Sequence, residues 1–217
     1  MTQPTYLHAI RAAYDTVAVD YAALLRTELA SKPLERALIG AFAELVQAAS
    51  NRPVADLGCG PGRVTGYLHS LGLTTFGVDL SPAMVDEARR AHPNLRFDEG
   101  SMCSLDLANS TLGGIVAWYS IIHTPPEYLP AVFAEFHRVL APGGYLLLAF
   151  QVGDVPVHLE HAYGHALSLD VYRRLPEVVS EQLNESGLVV FARLVREPDK
   201  AEKSQQAYLL ARKSDDA

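Results

Sequence analysis

Apolar residues recur at spacings of three and four at Ile10, Tyr14, Val17, Tyr21 and Leu24, which predicts an amphipathic helix over residues 5–30. Pro33 opens a second helix that runs to about Ala49 over Leu34, Leu38, Phe42 and Leu45. The period then changes. Pro53–Leu57, Thr74–Val78, Leu95–Phe97, Ile115–Trp118 and Tyr145–Val152 are short apolar runs of strand length. Helical stretches at Val64–Leu71, Ala83–Ala91 and Pro125–Leu140 separate them. Ser81 and Pro82 give the second of these an N-cap and a first-turn proline, and Pro142-Gly143-Gly144 stops the third. A further helix at Leu175–Glu185 stops at Gly187. Leu188–Arg196 and Gln206–Arg212 then follow as strands joined by a charged loop too short for a helical crossover, hence an antiparallel hairpin.

This alternation predicts an α/β fold, a Rossmann-like doubly wound sheet of about five parallel strands ending in an antiparallel hairpin. Residues 1–50 precede the first strand and are expected to form a helical cap or lid, with 51–213 as the ligand-binding domain. Gly153–Ser168 reads as a long loop over the pocket.

At 217 residues, 49% hydrophobic and 20% charged, the chain has the make-up of one globular domain with a sizeable core. Its 18 basic and 25 acidic residues give a net charge of −7, without the basic surplus that a duplex nucleic acid attracts. The densest basic pairs are Arg89–Arg90 and Arg173–Arg174. Cys59 and Cys103 are too few for a disulfide framework. No apolar run reaches membrane-spanning length, and Met1–Ala13 lacks the apolar core of a signal peptide, so the cytoplasm is the expected location.

The main chemical signal is Asp56-Leu-Gly58-Cys-Gly60-Pro-Gly62-Arg63, between a strand and a helix. An open parallel sheet binds ligands at that position, at the carboxyl ends of its strands. Asp79, at the end of the next strand, can accept both hydroxyls of a ribose. A dinucleotide fingerprint needs glycine where Arg63 stands, and the Asp56 carboxylate would repel a pyrophosphate. It suits a ligand carrying an ammonium group, such as S-adenosylmethionine, which has an ammonium, a ribose and no phosphate.

These motifs, with the closing hairpin, resemble the class I S-adenosylmethionine-dependent methyltransferases of small-molecule type, over Pro53–Arg212. The resemblance implies that Asp56, Gly58, Cys59, Gly60 and Gly62 hold the methionine part and Asp79 the ribose, with Leu80 and Met84 beside the adenine. The family's third motif falls on Glu99-Gly100-Ser101-Met102, where Ser101 stands in place of a common Asp and Met102 is the apolar neighbour. The fourth strand's end, Val116-Ala117-Trp118-Tyr119-Ser120, then lines the sulfonium and the substrate.

Methyl transfer from a sulfonium needs placement and exclusion of water, and a base only where the acceptor must lose a proton. His123, five residues past Trp118, is the candidate base, with a free-imidazole transition near pH 6.5 as the reference. Tyr14 and Tyr21, seven apart on one helical face, are placed to close over the cationic cofactor with Trp118. Tyr119, His158 and His161 are candidate walls of the acceptor pocket. His158, Glu160, His161 and His165 form a metal-like cluster in composition, but methyl transfer requires no metal and none is expected.

The reading is therefore a methyltransferase with S-adenosylmethionine as cofactor and a small-molecule acceptor. Neither a nucleic-acid nor a membrane partner is expected, and the chain is a monomer or homodimer. Three other readings fit parts of the pattern: a non-catalytic S-adenosylmethionine-binding regulator, a methyltransferase for a macromolecule, and an NAD-dependent oxidoreductase.

Overall fold

The computed structural model describes residues 4–200 and 202–215. Seven strands form the main sheet: β1 (Val54–Leu57), β2 (Thr75–Asp79), β3 (Arg96–Glu99), β4 (Leu112–Trp118), β5 (Leu140–Gln151), β8 (Leu188–Arg196) and β9 (Gln206–Lys213). Their order is β3-β2-β1-β4-β5-β9-β8. The first five run parallel, while β9 pairs antiparallel with β5 (Leu147 opposite Leu210) and with β8. The order reverses between β1 and β4, and the crevice above that reversal is where such a sheet receives a ligand.

The apolar run in β5 is continuous because both faces of the sheet are covered. Leu146 and Leu148 join the core on one face, with Phe133 and Phe136 of α5 (Leu129–Val139) and Leu183 of α6 (Pro176–Glu185). Leu147 and Ala149 face the other way, against Ile39, Phe42 and Val46 of α2 (Pro33–Ala49) and Leu68 of α3 (Arg63–Ser70). On that second face α4 (Pro82–Ala91) covers β2 and β3 through Val85, Ala88 and Phe97. Ser81 caps α4, its hydroxyl accepting from the Met84 N–H at 3.1 Å.

Residues 1–50 divide between two places. Helix α2 is a layer of the sheet, whereas α1 (Thr5–Leu25) crosses the strand ends and packs Val17 and Ala18 on Met84. Helix α1 ends earlier than the expected residue 30. Leu29–Ser31 form a 3-10 turn, and Lys32 (φ −113°, ψ 79°) leaves the helical region, which a following proline disfavours.

The segment expected as a long loop is instead a two-stranded antiparallel sheet, β6 (Val157–Ala162) and β7 (His165–Val171). Tyr163 and Gly164 form its two-residue turn, both with positive φ (53° and 84°), the conformation whose twist matches a tight hairpin. This hairpin docks on α1: Tyr163 meets Tyr21 edge-on at 4.9 Å, and His165 Nε2 lies 2.7 Å from Asp20 Oδ2. Among the described residues, no helix is long and apolar enough to cross a membrane.

Candidate active site

The loop after β1 turns through Gly58 and Gly60 into Gly62, which precedes α3; all three have positive φ. The requirement differs among them. A Cβ on Gly58 would stand 2.3 Å from Ser120 Cβ, so this glycine lets the loop approach the end of β4. One on Gly62 would stand 2.8 Å from Phe97 and 3.2 Å from Ala88, so Gly62 serves helix–sheet packing. Asp79 braces the loop from below. Its Oδ2 accepts the Gly60 N–H at 2.7 Å and its Oδ1 the Ser81 N–H at 2.9 Å. A carboxylate offers about four acceptor positions, so Asp79 keeps capacity for a ligand beside these backbone donors. Asp56 is buried; Thr65 donates to its Oδ2 at 2.7 Å, while its Oδ1 has no partner, and Ser120 Oγ is buried in the same condition. Burial pushes both Asp56 and Asp79 up to about 6, outweighing the donors that surround them. Burial likewise raises the Cys59 thiol well above its ordinary value.

A cavity of about 760 Å³, partly open to solvent, lies over this loop. It brings together Gly58, Gly60, Asp79, Leu80, Ser101 and Met102 from the strand ends. Trp118, Tyr119 and His123 close one side, and Tyr14 and Tyr21 of α1 the other. Other expected site residues fall elsewhere. Asp56 and Cys59 border a small recess beside it, also lined by Tyr21 and Trp118. Met84 is buried beneath α1, and Ala117 lies inside the sheet. His158 and His161 do not line the pocket and are exposed on the outer face of the β6–β7 hairpin. Side chains alternate along a strand, so Val157 and Leu159 face inward and His158 outward, and a register shift between Leu159 and His161 leaves His161 exposed as well. His158 instead pairs with Asp170 at 2.7 Å. No group of three or more His, Cys, Asp or Glu side chains converges as a metal site among the described residues.

His123 sits on a 3-10 turn (Ile121–His123) just past β4. Its Nδ1 lies 2.8 Å from the Asp170 carbonyl and so carries the hydrogen, which leaves Nε2 to accept the Tyr14 hydroxyl at 2.7 Å. Burial lowers His123 to about 4 and raises the Tyr14 phenol well above its ordinary value. The chain after β7 holds this turn in place. Tyr172 N–H donates to Ile122 O at 2.7 Å, and the buried Arg174 donates to the carbonyls of Ile121 and Thr124. Nothing periodic in the sequence announces this strap; the Arg173–Arg174 pair is its only visible trace.

A second cavity of about 1300 Å³, continuous with solvent, shares Tyr14, Tyr21, Trp118 and Tyr119 with the first. Tyr119 has a positive φ of 57°, uncommon for a bulky residue, and turns the chain at the end of β4. Its hydroxyl lies 3.1 Å from that of Tyr208, which donates to the buried Glu35 at 2.9 Å. Arg196 binds the same Glu35 oxygen at 2.8 Å and also pairs with Glu202. Sequence reasoning missed this chain of contacts because it joins residues up to 173 positions apart.

Comparisons with known proteins agree with this arrangement. A family profile described as a methyltransferase domain matches residues 54–144, from β1 into β5. The chain is 31% identical over 105 residues to malonyl-[acyl-carrier protein] O-methyltransferase of Pectobacterium atrosepticum, covering 48% of this chain and 41% of that protein. It is 38% identical over 103 residues to trans-aconitate 2-methyltransferase of Escherichia fergusonii, covering 46% of this chain and 39% of that one. The matched part thus spans less than half the length of either relative. The fold also matches the crystal structure of Burkholderia thailandensis 1,6-didemethyltoxoflavin-N1-methyltransferase, solved with S-adenosylhomocysteine, with a TM-score of 0.73, 23% identity and coverage of 99% of this chain and 92% of that one. Residues 54–144 thus match a methyltransferase domain, and the whole fold, with its reversed last strand, is that of the methyltransferase structure it resembles.

Proposed function

We propose that this protein transfers a methyl group from S-adenosylmethionine to a small-molecule acceptor. The observation that carries the reading is the cavity over the glycine loop, lined by the Asp79 carboxylate and Ser120, whose buried Oγ has no partner among the described residues, with the likewise unpartnered buried Asp56 Oδ1 in the recess beside it. Buried polar atoms without partners are rare, and a ligand ammonium and hydroxyls supply the missing donors. Asp79 would hold the ribose hydroxyls, and Asp56 would act on the ammonium with the loop between them. Leu80, Ser101 and Met102 would flank the adenine.

When bound, S-adenosylmethionine supplies a methyl group already activated by its sulfonium. The protein's own part is then placement and dehydration. Tyr14, Tyr21 and Trp118 present aromatic faces to a cation, and α1 roofs the cavity against water. An acceptor proton has a route through Tyr14: the phenol oxygen takes it while the phenol hydrogen passes to His123 Nε2. The resulting imidazolium keeps its Nδ1–H on the Asp170 carbonyl. With His123 at about 4 this is a weak base, so placement supplies most of the acceleration.

A small acceptor is favoured by the cavity that adjoins the cofactor site, which is roofed by α1 and the β6–β7 hairpin. Two similar proteins are named for low-molecular-mass acceptors, trans-aconitate and 1,6-didemethyltoxoflavin.

Calorimetry with S-adenosylhomocysteine tests the site. Asp79→Ala is expected to cost about 1.5–3 kcal/mol for each charged hydrogen bond lost, roughly a 10- to 150-fold weaker affinity for one such bond. Unchanged affinity in a folded variant, or tight binding of NADH by the wild type, would overturn the reading.

A further inference from the structure

The cavity beyond Trp118 and Tyr119 is the part of the molecule whose chemistry is still unassigned. Its basic residues outnumber its acidic ones, although the whole chain carries a net charge of −7. Most of these charges already cancel. Arg63 pairs with Glu28 at 2.6 Å, Arg196 with Glu35 and Glu202, and Lys32 with Glu202 at 3.2 Å. Arg173 is different. It lines the cavity, its Nε is buried without a hydrogen-bond partner, and its guanidinium makes no ion pair among the described residues. Its stem lies against Gly153, where a Cβ would stand 3.0 Å from both Arg173 Cβ and Cδ, so the side chain is laid along the wall.

A buried guanidinium nitrogen without an acceptor is costly unless an acceptor arrives. A guanidinium presents a planar fork, which matches the two oxygens of a carboxylate. The same cavity is lined by the apolar side chains of Val157, Leu159 and Val171, which suit the carbon frame of a small organic acid. The exposed Lys203 on the rim, which makes no ion pair among the described residues, is placed to draw in anions.

We propose that Arg173 anchors a carboxylate of the methyl acceptor, so that the acceptor is a small organic acid held in the cavity behind Trp118 and Tyr119. This rests on the methyltransferase reading for the word acceptor, while the anion site itself stands on the geometry alone.

Trp118 is the chain's single tryptophan and lines both cavities, so its fluorescence reports occupancy. Protein loaded with S-adenosylhomocysteine is titrated with a panel of aliphatic and aromatic mono- and dicarboxylates, each beside its uncharged amide. At least one carboxylate is expected to bind tenfold or more tighter than its amide. In Arg173→Gln that preference should vanish, with amide and S-adenosylhomocysteine affinities within about twofold of wild type. Arg173→Lys should keep part of it, and matched thermal melts show that both variants are folded. Absence of any carboxylate preference across the panel, or its survival in Arg173→Gln, overturns the proposal. So does methyl phosphate displacing every carboxylate. If S-adenosylhomocysteine fails to bind while the preference depends on Arg173 in the unloaded protein, the cofactor reading falls and the anion site stands.

Discussion

His123 reaches the cavity through a second side chain. Its Nε2 is occupied by the Tyr14 hydroxyl and its Nδ1 by a backbone carbonyl, so an acceptor proton arrives only by way of the phenol. A solvent-exposed imidazole would give a rate that climbs through pH 6.5. Burial moves this group to about 4, so it is neutral and able to accept across the neutral range. With the cofactor saturating, turnover on a proton-losing acceptor is therefore expected to be level from pH 5.5 to 8. Tyr14→Phe and His123→Gln should each lower it by about 10- to 100-fold, the lower part of the usual range for general bases, because this base is weak. The double variant should be no slower than the worse single one, since both residues act on one proton. A sigmoidal rise centred between pH 6 and 7, or additive losses in the double variant, would show His123 acting independently of Tyr14.

At the scale of elements, the roof and the floor of the site have separate origins. The floor belongs to β1, β2 and β4, whose sides are closed by α2 and α3 through Ile39, Phe42, Val46 and Leu68. The roof is α1, which touches α4 and the hairpin and contributes no residue to the two cores that flank the middle of the sheet. A chain beginning at Pro33 is therefore expected to keep its sheet by circular dichroism. It should lose S-adenosylhomocysteine affinity by tenfold or more, because Tyr14 and Tyr21 leave the cavity. Retained affinity would make α1 a packing element only. The floor was legible in the sequence because its signals are local: a glycine turn after an apolar run, and an acid at the end of the next strand. The roof was legible only in half. The tyrosines seven apart on α1 announced themselves by period, but the β6–β7 hairpin did not. Its turn places Tyr163, a residue type uncommon at positive φ, beside Gly164, and its half-exposed strands alternate histidines with aliphatics. Read as a loop over the pocket, the segment put His158 and His161 in its wall; folded as a strand with a register shift after Leu159, it turns Val157 and Leu159 inward instead.

Across the whole molecule, the proposed cofactor site is a place where burial of two carboxyls costs stability. Asp56 and Asp79 titrate near 6 in the folded chain against an ordinary value near 3.8, because burial disfavours their charge. A raised acid contributes stability that is full below its unfolded value and lost as pH rises through the folded one, here about pH 4 to 6. Each such displacement is worth about 3 kcal/mol when fully developed. His123 acts in the opposite sense over much the same range, since a histidine lowered to about 4 stabilises the fold as pH rises toward 6.5. Two carboxyls outweigh one imidazole, and self-repulsion grows as the charge moves from the isoelectric point near 5.6 to −7 at pH 7. The unliganded protein is thus expected to melt at a higher temperature at pH 5 than at pH 7.5. If S-adenosylhomocysteine sets its ammonium and two hydroxyls on these ionised carboxylates, as proposed, it should raise the melting temperature more at pH 7.5 than at pH 5. Its binding near pH 5.5 should also release protons, seen as a calorimetric enthalpy that changes with the ionisation enthalpy of the buffer. Asp79→Asn should remove about half of that release, because only Asp56 would still ionise. An equal melting shift at both pH values, with no proton release, would mean that the two buried carboxyls are not the groups that meet the ligand.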